Sequence, residues 1–146
     1  MNRLHAYILL YTILGCSMST NNTNDQVNKD LYTKMKNPFF NESTLYMHYP
    51  PFDKIKNAHY KPAFDKGMEE HIREIESIAN NLDDPTFDNT IIAMEQSGEL
   101  LDRVATVFFA LTSANTNDEM EKIQSEMAPK FSAHSDKILL NKKLFD

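Results

Sequence analysis

The sequence predicts an all-α fold of three main helices, preceded by an extended proline–aromatic strap and a polar tether. Three observations point there. Apolar residues recur at steps of three and four in three separate stretches, which is the period of one helix face. Capping residues stand ahead of those stretches. No segment alternates apolar and polar residues long enough to make a half-buried strand.

The first helix reads from Tyr60, with Phe64, Met68, Ile72, Ile75, Ile78 and Leu82 on one face. Pro62 is placed in its first turn, where a missing N–H matters little. Glu69, Glu70, Arg73, Glu74 and Glu76 lie off the stripe and read as a solvated face. Asn80-Asn81 and Asp83-Asp84-Pro85 end the helix. The second helix is expected after Thr86 as N-cap, with Asp88 in its first turn. Its stripe is Phe87, Ile91, Met94, Gly98, Leu101, Val104, Phe108 and Leu111. Gly67 and Gly98 then fall inside helices, at a cost of about 1 kcal/mol each against alanine, and close helix–helix approach is the expected reason. Val107, Phe108 and Phe109 are consecutive, so that end should be buried on more than one face, or else leave apolar surface bare. The third helix begins at a capping box, Thr116 as N-cap and Glu119 reaching back. Met120, Ile123, Met127, Phe131, His134 and Ile138 share its inner side, and Pro129 should kink or split it.

Residues 37–57 hold Pro38, Pro50 and Pro51 among Phe39, Phe40, Leu45, Tyr46, Tyr49 and Phe52. The prolines prevent a continuous helix. The rings favour an extended strap pinned across the helices, with a ligand for a partner's groove as the alternative.

The first sixteen residues read as an address. Arg3 supplies one positive charge, and residues 4–14 are mostly apolar, broken by His5 and Thr12. The run is shorter than the roughly 20 apolar residues a spanning helix needs. It ends in Ile13-Leu14-Gly15-Cys16, which resembles the lipobox of bacterial lipoproteins, with Cys16 as the lipidated residue. The plainer reading is a short buried helix with a free cysteine. Residues 17–36 are polar, rich in Asn, Ser and Thr, and read as a flexible tether. The expected organisation is therefore an address over 1–16, a tether over 17–36 and a helical region over 37–146. The chain would be exported and held at a membrane in the cell envelope by acyl chains.

Composition excludes several functions. With three glycines in 146 residues, there is little from which to build a phosphate-cradling loop. Acidic residues outnumber basic ones 21 to 15, a net charge of −6, which weighs against nucleic acid as a partner. The one cysteine excludes an internal disulfide framework and a cysteine-based zinc knuckle. No two histidines stand at the i, i+4 spacing of a zinc-binding His-Glu-x-x-His helix. Glu70-His71-Ile72-Arg73-Glu74 places His71 and Glu74 on one face, but a lone pair of this kind is usually a solvent contact. His134, on an apolar stripe, reads as a hydrogen-bonded, half-buried residue. No serine stands in a G-x-S-x-G elbow. The residues therefore offer no catalytic, cofactor-binding or metal-ligating set.

Several stretches, in order, carry a resemblance. They are Asn37-Pro38-Phe39-Phe40-Asn41-Glu42-Ser43 with Pro50-Pro51-Phe52-Asp53-Lys54-Ile55, then His59-Tyr60-Lys61-Pro62-Ala63-Phe64 and Gly67-Met68 running into Glu74-Ile75-Glu76-Ser77-Ile78-Ala79. Pro85-Thr86-Phe87-Asp88-Asn89-Thr90-Ile91, Ser97-Gly98, Leu111-Thr112-Ser113-Ala114-Asn115-Thr116-Asn117 and Ala128-Pro129-Lys130 to His134-Ser135-Asp136 follow. Together they resemble the N-terminal region of bacterial dipeptidyl carboxypeptidases, zinc metallopeptidases of the thimet-oligopeptidase type. The resemblance implies a helical part of a much longer enzyme that removes dipeptides from the C-terminus of oligopeptides. It also implies a zinc held by His-Glu-x-x-His and a downstream glutamate in a C-terminal catalytic half, with that half as a partner of this region. None of those zinc residues has a counterpart here, so the chain alone is expected to be inactive and to hold no zinc. The alternative is a freestanding lipid-anchored helical lipoprotein that binds peptides or a partner.

Overall fold

The computed structural model describes residues 36–145, and these are helical as expected. The proposed address, Cys16 and nearly all of the tether lie outside the described residues. Helix α1 is Asn57–Ala79. A π-helical turn, Phe87–Ile92, runs directly into one α-helical turn, α2, Ala93–Glu95. Helix α3 is Glu99–Asn115, α4 is Asp118–Leu139 and α5 is the short Lys142–Phe145. Two 3-10 turns, Pro38–Phe40 and Tyr46–His48, precede them. None of the described helices is long and apolar enough to cross a membrane.

Helix α1 begins three residues before the stripe does. The Lys56 N–H donates to His59 Nδ1 at 3.1 Å, and the His59 N–H returns to the Lys56 carbonyl at 2.9 Å. Pro62 therefore sits in the second turn rather than the first, and leaves the Ala58 carbonyl without its i+4 donor. The helix stops where expected. Asn80 closes it with its side chain on the Glu76 carbonyl at 2.6 Å. Leu82 lies past that end and is 99% exposed, so it is no part of the stripe.

The expected single second helix is two pieces. Thr86 caps as expected: its Oγ1 accepts the Asn89 N–H at 3.1 Å, and Asn89 Oδ1 accepts the Thr86 N–H at 2.8 Å. The helix then breaks at Gly98, which has φ 77°, the left-handed region. Gly98 is thus an N-cap, not a helix-interior glycine. Gly67 fulfils the other expectation, because a Cβ on it would meet the Leu101 backbone of α3.

The third helix also starts one residue later than its capping box implied. Asn117, not Thr116, is the N-cap, and its Oδ1 accepts the Met120 N–H at 3.0 Å. Glu119 turns outward and accepts from Asn57 Nδ2 at 2.8 Å, which ties the starts of α1 and α4 together. Helix α4 runs unbroken through Pro129.

The core forms where α1, α3 and the first half of α4 meet. Tyr60, Phe64 and Phe108 are fully buried, with Phe108 edge-on to both other rings at 4.9 and 5.3 Å. Phe131 meets Phe64 edge-on at 5.0 Å. Such edge-to-face pairs add about 0.5–1.5 kcal/mol each beyond their buried area. At the consecutive triplet, Val107 and Phe108 are buried, while Phe109 is 39% exposed and leans on Phe131.

The strap is pinned at its start and again near its end, where Ile55 packs on the core. Phe39 is buried against Tyr60, Asn37 Nδ2 donates to the His59 carbonyl at 2.7 Å, and Arg103 Nη2 donates to the Phe39 carbonyl at 3.3 Å. The Lys66 ammonium covers the Phe40 ring at 4.3 Å. In the middle of the strap the expected pinning fails: Tyr46, Met47 and Tyr49 are mostly exposed. Met47 and His48 both take positive φ and fold this part back on itself. Ser43 closes the loop by donating its hydroxyl to the Tyr49 carbonyl at 2.6 Å. Those bonds use the backbone and leave the rings outside.

Candidate functional site

Outside the aromatic core, the chemistry-bearing side chains converge at one junction of α1, α4 and the start of α3. His71 and His134 meet there, 63 residues apart in sequence, with His134 Nε2 at 3.0 Å from His71 Nδ1. Gly98 packs on the His71 ring so closely that a Cβ on it would lie 2.8 Å from Nδ1. The Gly98 N–H donates to Glu74 Oε2 at 2.7 Å. A carboxylate at the first turn of α3 is also well placed against the positive end of that helix.

The junction revises the reading of the Glu70–Glu74 fragment. His71 and Glu74 do share a side of α1, but Glu74 is engaged by the Gly98 backbone and His71 by His134. His134 is hydrogen-bonded as expected, and it is more than half-buried, at 8% exposure. Its partner was not legible in the sequence, because nothing local links positions 71 and 134. The weak signal was that His134 stands on one apolar stripe and His71 beside another.

Burial lowers the pKa of His71, with the Glu74 carboxylate acting in the opposite direction. Burial also lowers that of His134, aided by the positive charge His71 would carry and by Lys137. His59 is lowered by burial and by the Lys56 ammonium. The neutral imidazole is favoured at all three. Beside the histidine pair an open groove of about 520 Å³ runs between α1 and α4, floored by Met68, Ile72 and Ala133. Lys130 bridges its edge to Asp65 at 2.6 Å.

Among the described residues no three His, Cys, Asp or Glu side chains stand together as metal ligands. The two facing imidazole nitrogens already share a hydrogen bond. The residues present do not fit the zinc site that the family resemblance implies.

No family model matches the chain. Over 109 residues, 75% of its length, it is 50% identical to the dipeptidyl carboxypeptidase of Escherichia coli (strain K12). It is 47% identical over the same length to the dipeptidyl carboxypeptidase of Salmonella typhimurium (strain LT2). The chain resembles the N-terminal part of dipeptidyl carboxypeptidase. That bears out the likeness carried by the Asn37-to-Asp136 stretches. The matched region is 16% of each dipeptidyl carboxypeptidase, so this chain spans about one sixth of the length of these curated relatives.

Proposed function

We propose that this chain is the N-terminal helical part of an exported dipeptidyl carboxypeptidase, an enzyme that removes dipeptides from the C-terminus of oligopeptides. The observation that carries the reading is 50% identity over 109 residues to a protein of that name. The all-α fold agrees with it. The substrates are oligopeptides, and the partner of this region is the catalytic half of the enzyme.

The order of Arg3, the apolar run, Gly15 and Cys16 supports export and lipidation at Cys16. The protein would then face the exterior or periplasm of the cell envelope, tethered by acyl chains. Zinc belongs to the full-length enzyme in this reading. The 146 residues contain no His-Glu-x-x-His.

The test is hydrolysis of an N-blocked tripeptide by the purified chain, with and without added zinc. No dipeptide release is expected in either case. Release that a chelator abolishes would overturn the assignment of catalysis to the other half.

The exposed Tyr46, Met47 and Tyr49 favour one second reading, a freestanding lipoprotein that binds peptides. It predicts saturable binding of an oligopeptide to the isolated chain, with shifts confined to residues 45–52.

A further inference from the structure

We propose that the His71–His134 contact is an acid-released latch that holds the C-terminal half of α4 against α1. The two rings meet at a centroid distance of 5.0 Å with planes inclined by 51°. Between two imidazole nitrogens 3.0 Å apart, one must carry the hydrogen and the other the lone pair.

Phe131 anchors the start of that half edge-on to Phe64, and Lys143 of α5 donates to Asn80 Oδ1 at 2.7 Å beyond its end; between these two ties the His71–His134 contact holds it to α1. Met120, Ile123 and Met127 bury the first half of α4. Beyond Met127, His134 is the only α4 side chain that is buried, with Phe131 and Ile138 partly covered. Leu139 and Leu140 are mostly exposed. Pro129 gives no N–H to the Ser125 carbonyl, so the helix is weakest where the two halves join. The Lys130–Asp65 bridge is an exposed pair, and such pairs contribute little.

Proton counting sets the behaviour. The neutral pair shares one hydrogen between the facing nitrogens. A first added proton goes to a ring nitrogen that faces away, and the shared bond survives, strengthened if the cation is the donor. A second proton makes both rings cations with hydrogens on both facing nitrogens. The bond is then lost and two like charges stand in contact.

The surrounding charges order these steps. On its own helix His71 has Glu74, and the α2–α3 side of its ring shares a groove with Glu95, Glu99 and Asp102. The first proton is held there. His134 has Lys137 on its own helix, and shares the α1–α4 groove with Lys130 and with Asp65, Glu69 and Arg73 of α1. The second proton must enter beside His71⁺ and Lys137. His71 cannot swing toward α3, because Gly98 already lies against its ring. Relief comes from movement of α4, which opens the groove floored by Met68, Ile72 and Ala133.

The test is amide hydrogen exchange of the full chain in detergent micelles from pH 7.5 to 4.5, corrected for intrinsic exchange, with ring nitrogen shifts followed in parallel. The rings should titrate in two coupled steps, both below about 6.5. Protection of residues 130–139 should be flat through the first step. Below the second it should fall about tenfold per pH unit, while Tyr60–Ile75 and Val104–Phe108 keep theirs. His134→Gln, which keeps a donor and an acceptor but cannot titrate, should abolish the acid response. Protection of 130–139 that is unchanged down to pH 4.5 would overturn the proposal. So would equal loss in every helix, or an acid response in His134→Gln like that of the wild type. If His134→Gln does not fold, the wild-type profile and His71→Gln decide by the same criteria.

Discussion

Gly67 lies against the backbone of Leu101: a Cβ built on it would stand 2.9 Å from the Leu101 Cα and 3.0 Å from its nitrogen. Backbone cannot yield as a side-chain tip can, so this contact fixes how closely α1 and α3 approach. Two effects oppose each other in Gly67→Ala. Helix propensity favours alanine by about 1 kcal/mol. Overpacking against a fixed backbone costs about 1–3 kcal/mol. The clash wins, and the urea midpoint of Gly67→Ala should fall. A raised midpoint would mean that the helices separate without penalty.

Gly98→Ala should also destabilise, for a different reason. A residue with a Cβ at φ 77° meets left-handed strain of about 1–2 kcal/mol, and this Cβ would also press on the His71 ring. Were Gly98 inside a continuous helix, alanine would instead stabilise by about 1 kcal/mol. The sign of the midpoint shift separates the two descriptions.

That sign marks where the sequence was legible and where it was not. The stripes of α1 and α4 and the cap at Thr86 follow from local periodicity and side-chain chemistry, and the structure has them. The break at Gly98 depends on Glu74 and His71 from another helix, so the unbroken apolar period from Phe87 to Leu111 conceals it. The Asn117 cap displaced Thr116 because Glu119 found a better partner in Asn57, 62 residues away. At the candidate site the hydrogen-bonded, half-buried state of His134 was open to a reading of its stripe, but His71 read as a solvent contact and the meeting of the two was not legible. Cys16 and the address lie outside the described residues, and rest on the order of residues alone.

The strap should be sensitive at its start and tolerant in its middle. Phe39 is 3% exposed and Tyr46 is 88% exposed. Phe39→Ala should cost about 3–5 kcal/mol in chemical denaturation. Tyr46→Ser should stay within about 0.5 kcal/mol of the wild type. Equal effects would show that the strap is either wholly docked or wholly free.

Thermal stability should rise with pH below neutrality and then level off. The pKa values of His59, His71 and His134 are all lowered on folding, His59 and His134 with no opposing carboxylate. The unfolded chain therefore binds more protons than the folded one as pH falls below about 6.5. The stabilisation is fully present above that value and is lost as pH drops through the folded values. Melts at pH 5, 6, 7 and 8 check this, and a Tm that is flat or falls between pH 5 and 7 would contradict it.

Cys16→Ser should release the protein from membranes. The wild type, extracted with detergent, should show an acylated N-terminal cysteine by mass spectrometry. Equal membrane retention of the serine variant would remove the lipid anchor from the account.

The most direct test of the central claim is a chimera. The stretch of Escherichia coli dipeptidyl carboxypeptidase that matches this chain is replaced by residues 37–146, and release of dipeptide from an N-blocked tripeptide is measured. If this chain is the equivalent N-terminal part, the chimera should fold and release dipeptide at a rate within about tenfold of the parent, a loss of no more than about 1.4 kcal/mol in transition-state stabilisation. A soluble, folded chimera that releases none would contradict the account.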